Sequence, residues 1–156
     1  MYKTQADEIK DWLRAYVNNE KEIDELLERI RELRGRATSI GAQEITDMPK
    51  APINITDSMA EYMVKLDSME RQVQSMIRSH KSSKKALEEV LEKMESLKQR
   101  KIITCRYIYG MDWSDVIYQC YHEKPDYQVK IRAYSKRVYR DHDRALLEMA
   151  RKWSQK

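Results

Sequence analysis

The sequence predicts an all-α protein in which long heptad-patterned helices lead into a C-terminal pair of shorter helices, and three observations carry that expectation. Gly and Pro together supply six of 156 residues, about 4% against the roughly 12% of an average chain. Charged residues reach 36%. Apolar residues recur at steps of three and four over most of the length, the spacing that puts them on one face of a helix. A chain of 156 residues suffices for one ordinary domain, or for a small domain with an extended arm, which excludes most large enzyme scaffolds.

The first segment, 1–40, carries Ile9, Trp12, Leu13 and Tyr16, then Ile23, Leu26, Ile30, Leu33, Ala37 and Ile40. From Ile23 the steps are those of a narrow coiled-coil seam, and Asn18-Asn19 is a candidate break ahead of it. Gly35, Gly41, Pro49 and Pro52 are four of the six breakers; periodicity is missing from Gly35 to Thr56, and a linker is expected at 41–56.

A second helix, 57–98, is expected to open at Thr56 or Asp57, either a suitable N-cap. Its stripe is Met59, Tyr62, Leu66, Met69, Val73, Met76, His80, Ser83, Leu87, Val90, Met94 and Leu97. Met59, Tyr62, Leu66, Met69, Val73 and Met76 are candidates for arm packing or oligomerisation, whether the seam pairs within the chain or between chains, because Met fills irregular apolar seams well. As one rod, Ile53 to Tyr109 would span ~85 Å at 1.5 Å per residue. The polar patch Ser79 to Lys85 allows a hairpin turn instead, and the sequence leaves both open. His80 reads as a polar seam or turn residue.

The last segment, 99–156, differs in kind. Residues 101–156 hold twelve basic and seven acidic groups, a local +5, whereas residues 1–50 sum to −2 and 51–100 to +1. Seven of the ten tyrosines lie between Tyr107 and Tyr139. A local cationic excess suits a polyanionic partner. Gly110 is placed as the residue that ends one helix, and Asp112 as the cap of the next; so short a junction forces a steep crossing, the scaffold of a helix-turn-helix. Trp113, Val116 and Ile117 face the small core between these helices. Tyr127, Ile131, Tyr134, Val138, Ala145 and Met149 share one face of a helix of about 25 residues starting near Asp126, with Lys136, Arg137, Arg140, Arg144 and Arg151 opposite and Lys130, Arg137, Arg144 and Arg151 at intervals of seven.

The string Arg106-Tyr107-Ile108-Tyr109-Gly110-Met111-Asp112-Trp113-Ser114-Asp115-Val116-Ile117, with Val138-Tyr139-Arg140-Asp141-His142-Asp143-Arg144-Ala145-Leu146 after it, resembles the helix-turn-helix of the sigma-70 region 4 superfamily. The whole layout is similar to the sigma-like regulators of bacteriophages, the group of autolysin-regulator-like late transcription factors. Its specific motifs lie in the last fifty residues.

The resemblance implies a helix-turn-helix scaffold of Gly110, Asp112, Trp113, Val116, Ile117, Val138, Ala145 and Leu146, with Asp115 in the acidic place of the first helix. His142 stands where an aliphatic residue is usual, so a semi-buried structural role is expected for it. DNA contact is implied for Lys130, Arg132, Lys136, Arg137, Tyr139, Arg140, Arg144 and Arg151; Arg137 and Arg140 are the first choices for base edges, and Lys130, Lys136, Arg144 and Arg151 for phosphates. The chain departs from the pattern between Gln119 and Tyr134, where a short turn is expected and its glycine is missing. Ser135 also stands too near Val138 to be the usual cap.

The expected function is sequence-specific control of transcription, with phage late genes as the setting, double-stranded DNA and host RNA polymerase as partners, and a homodimer as the assembly. A phage small terminase subunit binding packaging-site DNA is the alternative from the same architecture, and a coiled-coil adaptor that never meets DNA the alternative from another class. Cys105, Cys120, His122 and His142 have no zinc spacing, and neither a Gly-rich phosphate loop nor a nucleophile elbow occurs, so no metal, no cofactor and no catalysis are expected. Two cysteines make no disulfide framework and are expected as small hydrophobes. With no apolar run of membrane-spanning length and no targeting signal, no membrane partner is expected and the location is expected to be the cytoplasm of a bacterial host.

Overall fold

In the computed structural model, which describes residues 4–43 and 55–154, five α-helices follow one another and no strand occurs among the described residues. They are α1 (Gln5–Gln43), α2 (Ile55–Glu92), α3 (Leu97–Ile103), α4 (Trp113–Tyr121) and α5 (Ile131–Trp153). The chain divides into two compact units, one of Met1–Asn18 with Ser82–Lys156 and the other Asn19–Lys81.

In the second unit, Ile23, Leu26 and Ile30 of α1 bury themselves with Val73 of α2, and Leu66, Met69 and Met76 pack alongside. The seam therefore closes within one chain. Arg34 of α1 forms an ion pair with Glu70 of α2 across its edge. Met59 and Tyr62 are half-buried but lie outside that cluster.

Several expected breaks are absent. α1 runs unbroken through Asn18-Asn19 and Gly35 to Gln43, so the expected linker of 41–56 is helical at both ends, and its middle, 44–54, lies outside the described residues. α2 opens at Ile55 and passes straight through Ser79 to Lys85, which excludes the hairpin. The single rod fails as well. α2 stops at Glu92, where Lys93 N–H and Met94 N–H bond the carbonyls of Val90 and Leu91, tightening the last turn. The Arg100 guanidinium then donates to the carbonyls of Met94 (2.7 Å) and Glu92 (3.3 Å). The Glu148 carboxylate accepts from Glu95 N–H at 2.9 Å, and the Ser96 hydroxyl caps α3 by accepting from Gln99 N–H at 3.3 Å. Side chains thus satisfy the orphaned helix ends with no Gly or Pro present. Met94 remains buried, but Leu97, expected in the seam, is exposed.

The first unit holds two buried clusters. One joins Leu13 and Tyr16 of α1, Leu87, Val90, Leu91 and Met94 of α2, and Ile103, Tyr107, Ala145, Leu146 and Met149. The other joins Ile102, Cys105, Val116, Ile117, Tyr121, Tyr134 and Val138. Helix α5 serves both. Its first half packs in the second cluster and its second half in the first.

Candidate nucleic-acid interface on α5

The local geometry around α4 follows from a few side chains. The end of α3 widens into a π-turn over Thr104–Ile108, and Gly110 follows at φ +67°, a left-handed conformation that suits glycine because it lacks a Cβ. Asp112 then caps α4 as expected. Its carboxylate accepts from Asp115 N–H and from the Ser114 hydroxyl, both at 3.0 Å, and these bonds hold its pKa below the ordinary carboxylate value. The same carboxylate pushes the Asp115 pKa up.

Trp113 roofs the junction between the two clusters. The Arg106 guanidinium lies 4.8 Å from its ring, and Tyr139 and His142 meet it edge-on at 5.2 and 4.8 Å. His142 is only 4% exposed, more deeply buried than expected, and its Nε2 is 2.8 Å from the Tyr107 hydroxyl. Burial drives its pKa down to about 4, with smaller opposing influence from Asp143. The ring is therefore neutral near pH 7. Burial also pushes the Tyr107 pKa up, so its hydroxyl keeps the proton it can donate to Nε2. His142 thereby ties one cluster to the other.

The scaffold residues separate accordingly. Val116, Ile117 and Val138 come together with Trp113 at their margin, whereas Ala145 and Leu146 pack against α1 and α2 in the other cluster. Cys105 is buried and Cys120 half-buried; both are free thiols, and burial raises the pKa of each.

Helix α5 starts at Ile131 and has 23 residues; the expected start near Asp126 is too early. Asp126 is the cause. Its carbonyl accepts from both Val129 N–H and Lys130 N–H (3.1 and 2.9 Å), and its carboxylate receives the Tyr134 hydroxyl and Lys130 Nζ (3.0 Å). These bonds form a separate turn, and Lys130, at φ −110° and ψ 24°, breaks from it into α5. Lys130 is thus the residue before the helix and no longer extends its sevenfold row. Tyr127 likewise leaves α5, while still packing on the second cluster.

One side of α5 buries Tyr134, Val138, His142, Ala145, Leu146, Met149 and Ala150. The other turns Arg132, Lys136, Arg137, Arg140, Arg144 and Arg151 to solvent. None of these six forms an ion pair among the described residues. The carboxylates of α5 are used elsewhere: Asp141 meets Lys98 at 3.6 Å, Glu148 accepts from Glu95 N–H, and Asp143 stands beside His142 at 3.7 Å. Arg137 lies over the Tyr134 ring at 5.5 Å, which braces it, and Tyr139 is partly exposed beside Trp113. Ala133, also exposed, falls among Arg132, Lys136, Arg137 and Arg140. A small side chain there lets the helix backbone approach a surface that the surrounding cations attract.

No protein-family model, curated protein or solved structure matches this chain. Among the described residues no group of three or more His, Cys, Asp or Glu side chains could hold a metal ion, and no helix there is long and apolar enough to cross a membrane.

Missing from the sequence reading were the aromatic cluster of Trp113, Tyr139 and His142 with Arg106, and the break at Lys93–Ser96. Ser96-Leu97-Lys98-Gln99 has the spacing of a helix capping box and was the available signal for that break.

Proposed function

We propose that the protein is a sequence-specific DNA-binding transcriptional regulator that presents α5 to the major groove of double-stranded DNA, with α4 and α5 as its helix-turn-helix. The observation that carries this reading is the division of α5 between a buried apolar face and an outer face of six cations left without carboxylate partners among the described residues. A helix fits the major groove of B-DNA, where Arg bonds guanine O6 and N7 in a bidentate manner. Lys and Arg along its flanks neutralise phosphates and release counterions.

Recognition helices read bases mainly with their N-terminal residues. Arg137 and Arg140, in the first half of α5 beside Ala133, take the base edges; Lys136 and the more distant Arg144 and Arg151 take phosphates. The resemblance to sigma-like phage regulators makes late-gene control the proposed setting, with host RNA polymerase as the partner. Because Leu66, Met69, Val73 and Met76 pack with the chain's own α1, a homodimer would need a surface other than this seam.

Competition binding tests the assignment. Replacing Arg137 or Arg140 by Ala should weaken the preferred duplex by ~1–3 kcal/mol and relax base preference, while Lys136→Ala should weaken all sequences alike and flatten the salt dependence. Equal losses on preferred and random DNA for all three variants would refute the base-reading roles.

A further inference from the structure

We propose that the connection between α4 and α5 is itself a DNA-contacting element, and that Val129 at its tip seats against the C5-methyl group of a thymine in the groove that α5 enters. This rests on the reading of α5 as a DNA-binding helix.

The connection runs from His122 to Lys130, and it is rigidly built. Lys124 N–H bonds the Tyr121 carbonyl at 3.0 Å, Tyr127 N–H bonds the Lys124 carbonyl at 3.1 Å, and the Asp126 turn follows. Tyr127 stacks on Tyr134 at 6.3 Å and meets Tyr118 edge-on at 6.0 Å, while Tyr134 stacks on Tyr121 at 4.5 Å. The Tyr134 hydroxyl bonds the Asp126 carboxylate, and the aromatic rings pack on one another. Yet Val129 is 87% exposed, the highest value for any large hydrophobic residue described, and Ile131 beside it is partly exposed. A well-anchored turn thus holds an apolar side chain in water.

Its surroundings identify the partner. Residues 122–140 hold Lys124, Lys130, Arg132, Lys136, Arg137 and Arg140 against Glu123 and Asp126, an excess of +4 that equals the net charge of the whole chain. Asp126 is moreover engaged by Lys130 and Tyr134. The complementary surface is polyanionic with a small apolar spot at the depth a helix N-terminus reaches. Duplex DNA has one in the major groove, the thymine methyl, which apolar side chains contact. A lone valine offers too little apolar area to anchor a membrane or a protein partner.

The test uses the full chain and a duplex selected by it from a random-sequence pool. Affinities are measured for the native chain, Val129→Ser and Arg137→Ala, on the selected duplex and on copies in which each thymine in turn is replaced by uracil, which lacks only the methyl group. Val129→Ser is expected to weaken binding about five- to tenfold, the worth of one buried methyl contact with its desolvation. At one position uracil should weaken the native chain by a similar factor and leave Val129→Ser unchanged. If Val129→Ser binds as the native chain does, or if every uracil copy affects both proteins equally, the contact is refuted. Loss of binding in Arg137→Ala alone would then leave the α5 reading standing. Failure to enrich any duplex would overturn both.

Discussion

The burial of His142 makes a quantitative prediction about acid stability. In the folded chain its pKa is lowered from 6.5 to about 4, chiefly because burial penalises the charged ring. Above pH 6.5 the ring is neutral in both folded and unfolded states and pH has no leverage through it. As pH falls from there toward 4, the unfolded chain binds the proton and the folded chain does not, so stability is lost. At about pH 4.5 the loss amounts to roughly 2–3 kcal/mol, at 1.36 kcal/mol per unit of pKa difference. Urea unfolding followed by tryptophan fluorescence at about pH 7 and 4.5 measures it, since Trp12, Trp113 and Trp153 all lie in the unit that contains His142. The comparison is with His142→Leu, which removes this titration and leaves the carboxylates in place. At neutral pH the variant should be the less stable protein, because the buried Tyr107 hydroxyl loses its partner. On acidification the native protein should lose about 2–3 kcal/mol more than the variant. Parallel losses in the two proteins would refute the buried neutral ring.

Met149→Ala should cost about 2–5 kcal/mol, because Met149 is fully buried where α5 packs on α1 and α2, whereas Met63→Ala at an exposed site should lie within about 0.5 kcal/mol; denaturant titration compares them. Ser96→Ala should cost about 1 kcal/mol by uncapping α3. Val73→Asp should abolish amide-exchange protection in 19–43 and 55–81 through a buried charge in the seam, and protection that survives there would contradict intrachain pairing. Asp112→Ala should lower Tm, and Asp112→Ser should restore most of it, as expected when the side-chain oxygen is what caps α4.

The periodic signals were the most legible in the sequence. Steps of three and four from Ile23 and from Met59 predicted helices, and Ile23, Leu26, Ile30 and Val73 form the seam those steps imply. Gly110 and Asp112 were equally plain, since a left-handed residue and a side-chain cap are local requirements that local residue types reveal. Breaks made by tertiary contacts were not. The turn at Lys93–Ser96 is satisfied by Arg100 and by Glu148, which is far away in the sequence, so no local Gly or Pro marked it. The opposite error fell on Asn18-Asn19 and Gly35, residues of modest helix preference that a long helix carries through. The late start of α5 has the same character, because the apolar spacing of Tyr127 and Ile131 fits a helix while Asp126 binds Tyr134 and Lys130 in a turn. At the candidate interface, the outward side of Arg137, Arg140 and Arg144 was readable from a 3.6-residue period, whereas the inward place of His142 was implied by the resemblance alone. That His142 bridges two clusters was not, because Tyr107, its partner, belongs to another helix.

Footprinting of the full chain on its native genome tests the central claim most directly, because it finds binding sites without presupposing their sequence. The account predicts discrete protected sites at moderate salt, with protection lost in Arg137→Ala and Arg140→Ala. No protected site, or protection unaltered by either substitution, would contradict it.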